Sequence, residues 1–110
     1  YEKRFNALKQ YIMKIKLKKS EESLQRLFKA MSLLHDAEEA KRFLTDLCTP
    51  AELEAMADRL AVIPLLKQGV PYRSINERTG VSVATITRIA RCLMSGEGGY
   101  ELIYNRLEEL

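Results

Sequence analysis

Apolar side chains return at three- and four-residue intervals along most of this chain, and short polar signals between the runs mark where helices begin and end. From Ser20, with Glu21 and Glu22 in a first turn, the residues Leu24, Leu27, Phe28, Met31 and Leu34 form one stripe, predicting a helix that ends near His35. Asp36 with Glu39 has the spacing of a capping box, so a second helix follows, with Ala40, Phe43, Leu44 and Leu47 on its apolar side. Thr49-Pro50-Ala51-Glu52 is the clearest start in the chain. It offers an N-cap hydroxyl, a proline at the first helical position where its missing N–H costs nothing, and a glutamate placed to accept from the cap amide. A long helix runs from there to about Gln68 on Leu53, Met56, Leu60, Ile63 and Leu66, and Gly69 closes it. Pro64 cannot donate into the helical ladder, so a bend or a break is expected there.

Between Pro71 and Met94 the pattern becomes more specific. Tyr72 to Thr79 is a short helix with Ile75 as its one inward anchor among polar neighbours. Gly80 then reverses the chain at a position that needs a left-handed backbone. Ser82 is the N-cap of a second helix, Val83 to Met94, whose Ile86, Ala90 and Leu93 face the core. Its opposite side carries Val83, Ala84, Thr87, Arg88 and Arg91, with no acid among them. Small side chains let a backbone approach base edges, methyl groups meet thymine, hydroxyls exchange hydrogen bonds with bases, and arginines neutralise phosphates. That is the chemistry of a helix-turn-helix reader of duplex DNA. Residues 70–94 hold four arginines against Glu77 alone, a net charge of +3 where phosphates would lie.

The remaining segments are simpler. Ser95 to Gly99, SGEGG, reads as a flexible connection, and Glu101 to Leu110 as a last helix carrying Leu102, Ile103, Leu107 and Leu110. No strand pattern competes outside the N-terminus. There Ile12 to Lys19 alternates, whereas Phe5, Leu8, Ile12 and Ile15 fit helical spacing equally well, so the conformation of residues 1–19 stays open. Those residues carry seven basic groups against Glu2, or +6, and form a basic arm that either lies along DNA phosphates or extends into solvent. Residues 20–110 make one helical domain.

At 110 residues with 46% hydrophobic content, a single domain of modest core is expected. The stripes ask for more cover than that. Phe28, Met31, Leu34, Phe43, Leu44, Leu102, Ile103 and Leu107 favour burial against a second copy, which predicts a homodimer. Two readers about one DNA turn apart, roughly 34 Å, would then address a palindrome. Cys48 and Cys92 lack metal-ligand spacing and have only His35 as a nitrogen partner, so no metal site is expected. With one histidine, no nucleophile beside a base and no glycine-rich phosphate loop, no catalytic constellation is legible and an enzyme is not expected. His35 is expected at a helix end, stabilising terminal carbonyls. No signal peptide or spanning segment is evident, so a cytoplasmic protein is expected. The alternative use of the same helices is docking on a protein, for which Arg88 and Arg91 make a poor dry core.

The run from Leu47 to Leu93 carries Thr49-Pro50, Glu52, Glu54-Ala55, Arg59, Leu65-Leu66, Gly69, Gly80 and the block Ala84-Thr85-Ile86-Thr87-Arg88. It resembles the Trp repressor family, most closely its branch of Trp-repressor-like bacterial regulators. The resemblance implies an all-α bundle with a helix-turn-helix, assembled as an intertwined homodimer, and a repressor that occupies a palindromic operator. By position, Tyr72, Arg73 and Asn76 would touch phosphates, and Val83, Ala84 and Thr87 would touch bases, partly through water. The full DNA-facing set is Tyr72, Arg73, Asn76, Ser82, Val83, Ala84, Thr85, Thr87, Arg88 and Arg91. Tyr72 and Asn76 depart from the family pattern, so its operator does not transfer.

The same resemblance implies an effector pocket at Thr49, Arg59 and Arg88, where the family holds tryptophan between two arginines. Here the family's small glycine after the second arginine is Ile89 and a pocket serine is Cys92. A branched side chain adds carbons where ring atoms would sit, which costs on the order of 1 to 3 kcal/mol or excludes the ligand. The expectation is therefore no L-tryptophan, and either no effector or a different small acid.

Overall fold

A computed structural model of the chain describes residues 2–110 as six helices, with no strand among them: α1 (Glu2–Ser32), α2 (Ala37–Leu47), α3 (Pro50–Lys67), α4 (Tyr72–Thr79), α5 (Val83–Ser95) and α6 (Gly99–Glu108). The chain divides into two compact units, Tyr1–Leu44 and Thr45–Leu110.

In the first unit, α1 is one unbroken helix, so the expected start at Ser20 is not used. The reason is local. A serine followed by glutamates caps a helix only if the preceding chain leaves the helical conformation, and the Lys-, Leu-, Ile- and Met-containing run before it continues the helix readily. The helix also stops short of His35, at Ser32, where the amides of Leu33 and Leu34 bond to the carbonyls of Ala30 (3.1 Å) and Met31 (3.3 Å) in a tightened last turn. Asp36 caps α2 as expected, its carboxylate accepting from the Glu39 amide at 2.9 Å. Glu39 reaches back one residue further than a capping box requires, accepting from the backbone N–H of His35 at 3.0 Å. The His35 ring is exposed with Nδ1 3.7 Å from the Glu39 carboxylate, so its partner is that side chain and not the terminal carbonyls expected for it. Neither α1 nor α2 contains a buried residue.

The second unit holds the core. Val62 and Ile63 of α3, Ile75 of α4, Val81 of the turn, and Ile86 and Ile89 of α5 are buried together, with Leu65, Leu66, Val70, Leu93, Tyr100 and Tyr104 packed around them. Removing such an aliphatic side chain from water contributes about 1.5 to 3 kcal/mol each. Ile89 corrects the expected inward set: it is 2% exposed, whereas Ala90 and Leu93 are half-buried. Both Ile86 and Ile89 point inward because α5 is wedged between α3 and α4, so its buried arc is wider than one stripe.

The anticipated caps of α3 form. Glu52 N–H donates to the Thr49 hydroxyl at 3.2 Å, and Thr49 N–H donates to the Glu52 carboxylate at 2.8 Å. Pro64 does not break the helix, which continues through it to Lys67. Beyond it, Gly69 N–H bonds to Leu66 O (3.1 Å) and Val70 N–H to Leu65 O (3.0 Å), a closing pair that requires the positive φ of 75° at Gly69. The connection before α6 is shorter than expected, and the helix begins at Gly99 rather than Glu101.

Candidate nucleic-acid interface

The turn between α4 and α5 is held by more bonds than its length requires. Gly80 has φ 76°, and its amide bonds to Asn76 O at 2.9 Å, ending α4 in a left-handed cap. Thr79 Oγ1 donates to Ile75 O (2.7 Å) and accepts from Val81 N–H (3.1 Å). Asn76 Nδ2 donates to Val81 O at 2.8 Å, and the Val81 side chain enters the core. The angle between the two helices is therefore set by hydrogen bonds at the turn and by Ile75, Ile86 and Ile89 beneath it.

Ser82 then caps α5, its hydroxyl accepting from Thr85 N–H at 3.2 Å. With Ile86 and Ile89 turned inward, the outward side presents Val83, Ala84, Arg88 and Arg91, all exposed, and Thr87, half-buried. On α4, Tyr72 and Arg73 are exposed. Arg73 is 3.8 Å from Glu77, but the arginine side chain is 91% exposed, and such a surface pair is worth only about 0 to 1 kcal/mol. A phosphate can displace it. Two of the expected DNA-facing residues have other commitments: the amide donor of Asn76 holds the turn, and Thr85 is half-buried against a pocket.

That pocket, of about 240 Å³, is lined by Arg59, Thr85, Arg88, Ile89, Cys92 and Tyr100. It falls just below the roughly 300 to 1,000 Å³ usual for small-molecule sites. The structure thus brings Arg59 and Arg88 to one cavity, with Ile89 and Cys92 in its wall, but leaves Thr49 out of that wall, where it serves as the cap of α3. Tyr100 was missed by the sequence reading. An aromatic directly after Gly98-Gly99 was its only signal, because nothing local says that the start of α6 returns to α5. Across the same end of the unit, Lys67 pairs with Glu101 and lies 5.3 Å from the centre of the Tyr104 ring, tying α3 to α6.

Both cysteines are free thiols. Among the described residues, no helix is long and apolar enough to cross a membrane.

The family model for Trp repressor protein matches residues 22–108. The uncharacterized protein YerC of Bacillus subtilis is 43% identical over 86 residues, spanning 78% of this chain and 83% of YerC. A candidate Trp repressor from Staphylococcus aureus, solved by crystallography, superposes with a TM-score of 0.72 at 38% identity, covering 78% of this chain and 86% of that one. A TrpR-like protein from Eubacterium eligens gives a TM-score of 0.73 at 37% identity, covering 81% of this chain and 92% of its own.

Proposed function

Because the chain belongs to the Trp repressor family of helix-turn-helix DNA-binding regulators, we propose that it represses transcription by occupying a palindromic operator as a homodimer. The observation that carries this reading is the outward side of α5. Its exposed Val83, Ala84, Arg88 and Arg91 stand on a helix anchored from behind by Ile86 and Ile89, beside a turn fixed by Asn76, Thr79 and Gly80. In this reading Tyr72 and Arg73 take phosphates from α4 while the start of α5 enters the major groove. Arg88 and Arg91 lie along its walls.

The exposed apolar surface supports a dimer. Phe28 is 61% exposed in the first unit, and Leu47, Met56, Leu60, Leu102, Ile103 and Leu107 are exposed in the second. So many large aliphatic and aromatic groups open to water on a chain of this size are the mark of an association surface.

Effector control is proposed not to use L-tryptophan. Ile89 belongs both to the core and to the wall between Arg59 and Arg88, so it cannot move aside without opening the core. A small acid held by the two arginines is the fitting alternative. Calorimetric titration should show no micromolar binding of L-tryptophan.

The deciding experiment is selection of bound fragments from random duplex DNA, followed by anisotropy titration at several salt concentrations. A palindromic consensus with affinity falling steeply as salt rises is expected. Absence of any duplex binding at low salt would refute the proposal, and a monomer in sedimentation at working concentrations would refute its dimeric form.

A further inference from the structure

Two apolar stripes run along α1, and they face different ways. Met13, Leu17, Leu24, Phe28 and Met31 share one side of the helix. At about 100° per residue, Phe5, Leu8, Ile12 and Ile15 form a second stripe centred roughly 150° away from it. All of these side chains are exposed. The stripe through Leu24 and Phe28 continues into residues 22–108, the part that matches the family model, so the dimer proposed above is its cover. The stripe from Phe5 to Ile15 lies outside that part and points away, so a partner seated on Phe28 leaves it open to water.

Cations border this second stripe on both edges. Lys9 and Lys16 follow Phe5 and Ile12 by four residues along one edge, and Arg4 and Lys18 lie along the other. Lys9 Nζ stands 4.7 Å from the centre of the Phe5 ring. Lys3 and Lys14 take the opposite side, and from Lys3 to Ser20 there is no acid.

That arrangement selects its occupant. In a helix pair the edges of the seam face one another, so a second copy of the stripe would set Lys9 and Lys16 against like charges. Duplex DNA would neutralise the lysines, but its phosphate rim is polar and would leave Phe5, Leu8, Ile12 and Ile15 in water. A bilayer surface carrying anionic lipid satisfies both. The stripe sinks to the level of the acyl chains, while the apolar lysine stems carry their ammonium groups up to the phosphates. From Phe5 to Ile15 the stripe is about 15 Å long, against a hydrocarbon core roughly 30 Å thick, so it lies flat and does not cross.

We infer that the first half of α1 is a membrane-surface anchor, laying Phe5, Leu8, Ile12 and Ile15 into an anionic lipid bilayer with Arg4, Lys9, Lys16 and Lys18 at the headgroup phosphates. The inference stands apart from the DNA-binding reading, because it uses no residue of α4 or α5.

The chain has no tryptophan, so Phe5→Trp supplies a single fluorescent reporter. With the full chain and vesicles of mixed phosphatidylglycerol and phosphatidylcholine, its emission should shift to the blue and be quenched by lipids brominated along their acyl chains. Co-sedimentation with phosphatidylcholine vesicles alone should be weaker by about tenfold or more. Phe5→Gln combined with Ile12→Gln keeps every charge and good helix formers, and should weaken binding to the anionic vesicles about tenfold or more. Lys9→Gln combined with Lys16→Gln should weaken it about fivefold per lysine and flatten its salt dependence. Because α1 contains no buried residue, circular dichroism of the variants should match the parent. No co-sedimentation with the anionic vesicles, an unshifted tryptophan, or equal binding by the parent and the Phe5, Ile12 variant, which is the mark of charge attraction alone, would overturn the inference. Loss of duplex affinity in the lysine variant without any vesicle binding would assign the arm to DNA and overturn it as well.

Discussion

Asn76 and Val81 are bound across the turn, the Asn76 side-chain amide donating to the Val81 carbonyl at 2.8 Å while the Val81 side chain sits in the core. That single bond couples the end of α4 to the start of α5, so the tilt of the reader helix depends on a residue first assigned to phosphate contact. Asn76→Ala removes the donor and leaves a partly buried carbonyl without a partner. It should cost about 1 to 3 kcal/mol in urea unfolding. Unchanged stability would show that the bond does not hold the turn.

Gly80 adopts φ 76° with no atom within 4 Å of where a Cβ would stand. Substitution there is opposed by backbone conformation alone, since space is open. Gly80→Ala should therefore cost roughly 1 kcal/mol, and Gly80→Asn less, because asparagine tolerates the left-handed region. A fall of several degrees in Tm for the alanine variant, partly recovered by asparagine, is the expected result.

The capping box of α3 has a pH signature. The Thr49 backbone N–H, and after it the Thr49 hydroxyl, hold the Glu52 carboxyl below its ordinary value of 4.5. A carboxylate with a lowered folded-state pKa adds stability above its unfolded value, and that stability is lost as pH falls through the folded value. The stability difference between the parent and Glu52→Gln should thus be present at neutral pH and shrink below about pH 4.5. Urea midpoints measured for both proteins from pH 7 to pH 3 check this; a constant gap would exclude a role for the charge.

Arg73 should act on all duplexes alike. Its exposed guanidinium, loosely paired with Glu77, can reach a phosphate but carries no sequence information there. Arg73→Ala is expected to weaken binding to specific and random DNA by the same factor, and to lower the slope of log affinity against log salt by about 1 per site. A loss confined to the selected operator would move Arg73 from phosphate to base contact.

Much of the reader was legible because its signals are local. Thr49 with Glu52, Gly80, and Ser82 with Thr85 each bond within three or four residues of themselves, so their spacing along the chain already specifies the geometry. The Ser20 start failed for the same reason: a cap signal does not state whether the preceding residues leave the helix, and here they do not. Ile89 was misjudged because the width of a buried arc depends on how many neighbours a helix has. Thr49 caps α3 and Arg59 lies within it, ten residues on and about 15 Å along its axis. The cavity at Arg59 is instead completed by Thr85 and Arg88 of α5 and Tyr100 of α6.

The order of amino acids by itself determined the helices α2 to α6, the left-handed glycine between the two reader helices, and the basic, acid-free outer side of the second. Those follow from hydrogen bonds and periodicities that span a turn or two of chain. Only the tertiary structure decided that Ile89 is core, that the Asn76 amide is spent on Val81, and that Arg59 meets Arg88. Each of these depends on which atoms folding brings within bonding distance, and competition for a shared donor or a shared volume is resolved only when all the partners are present.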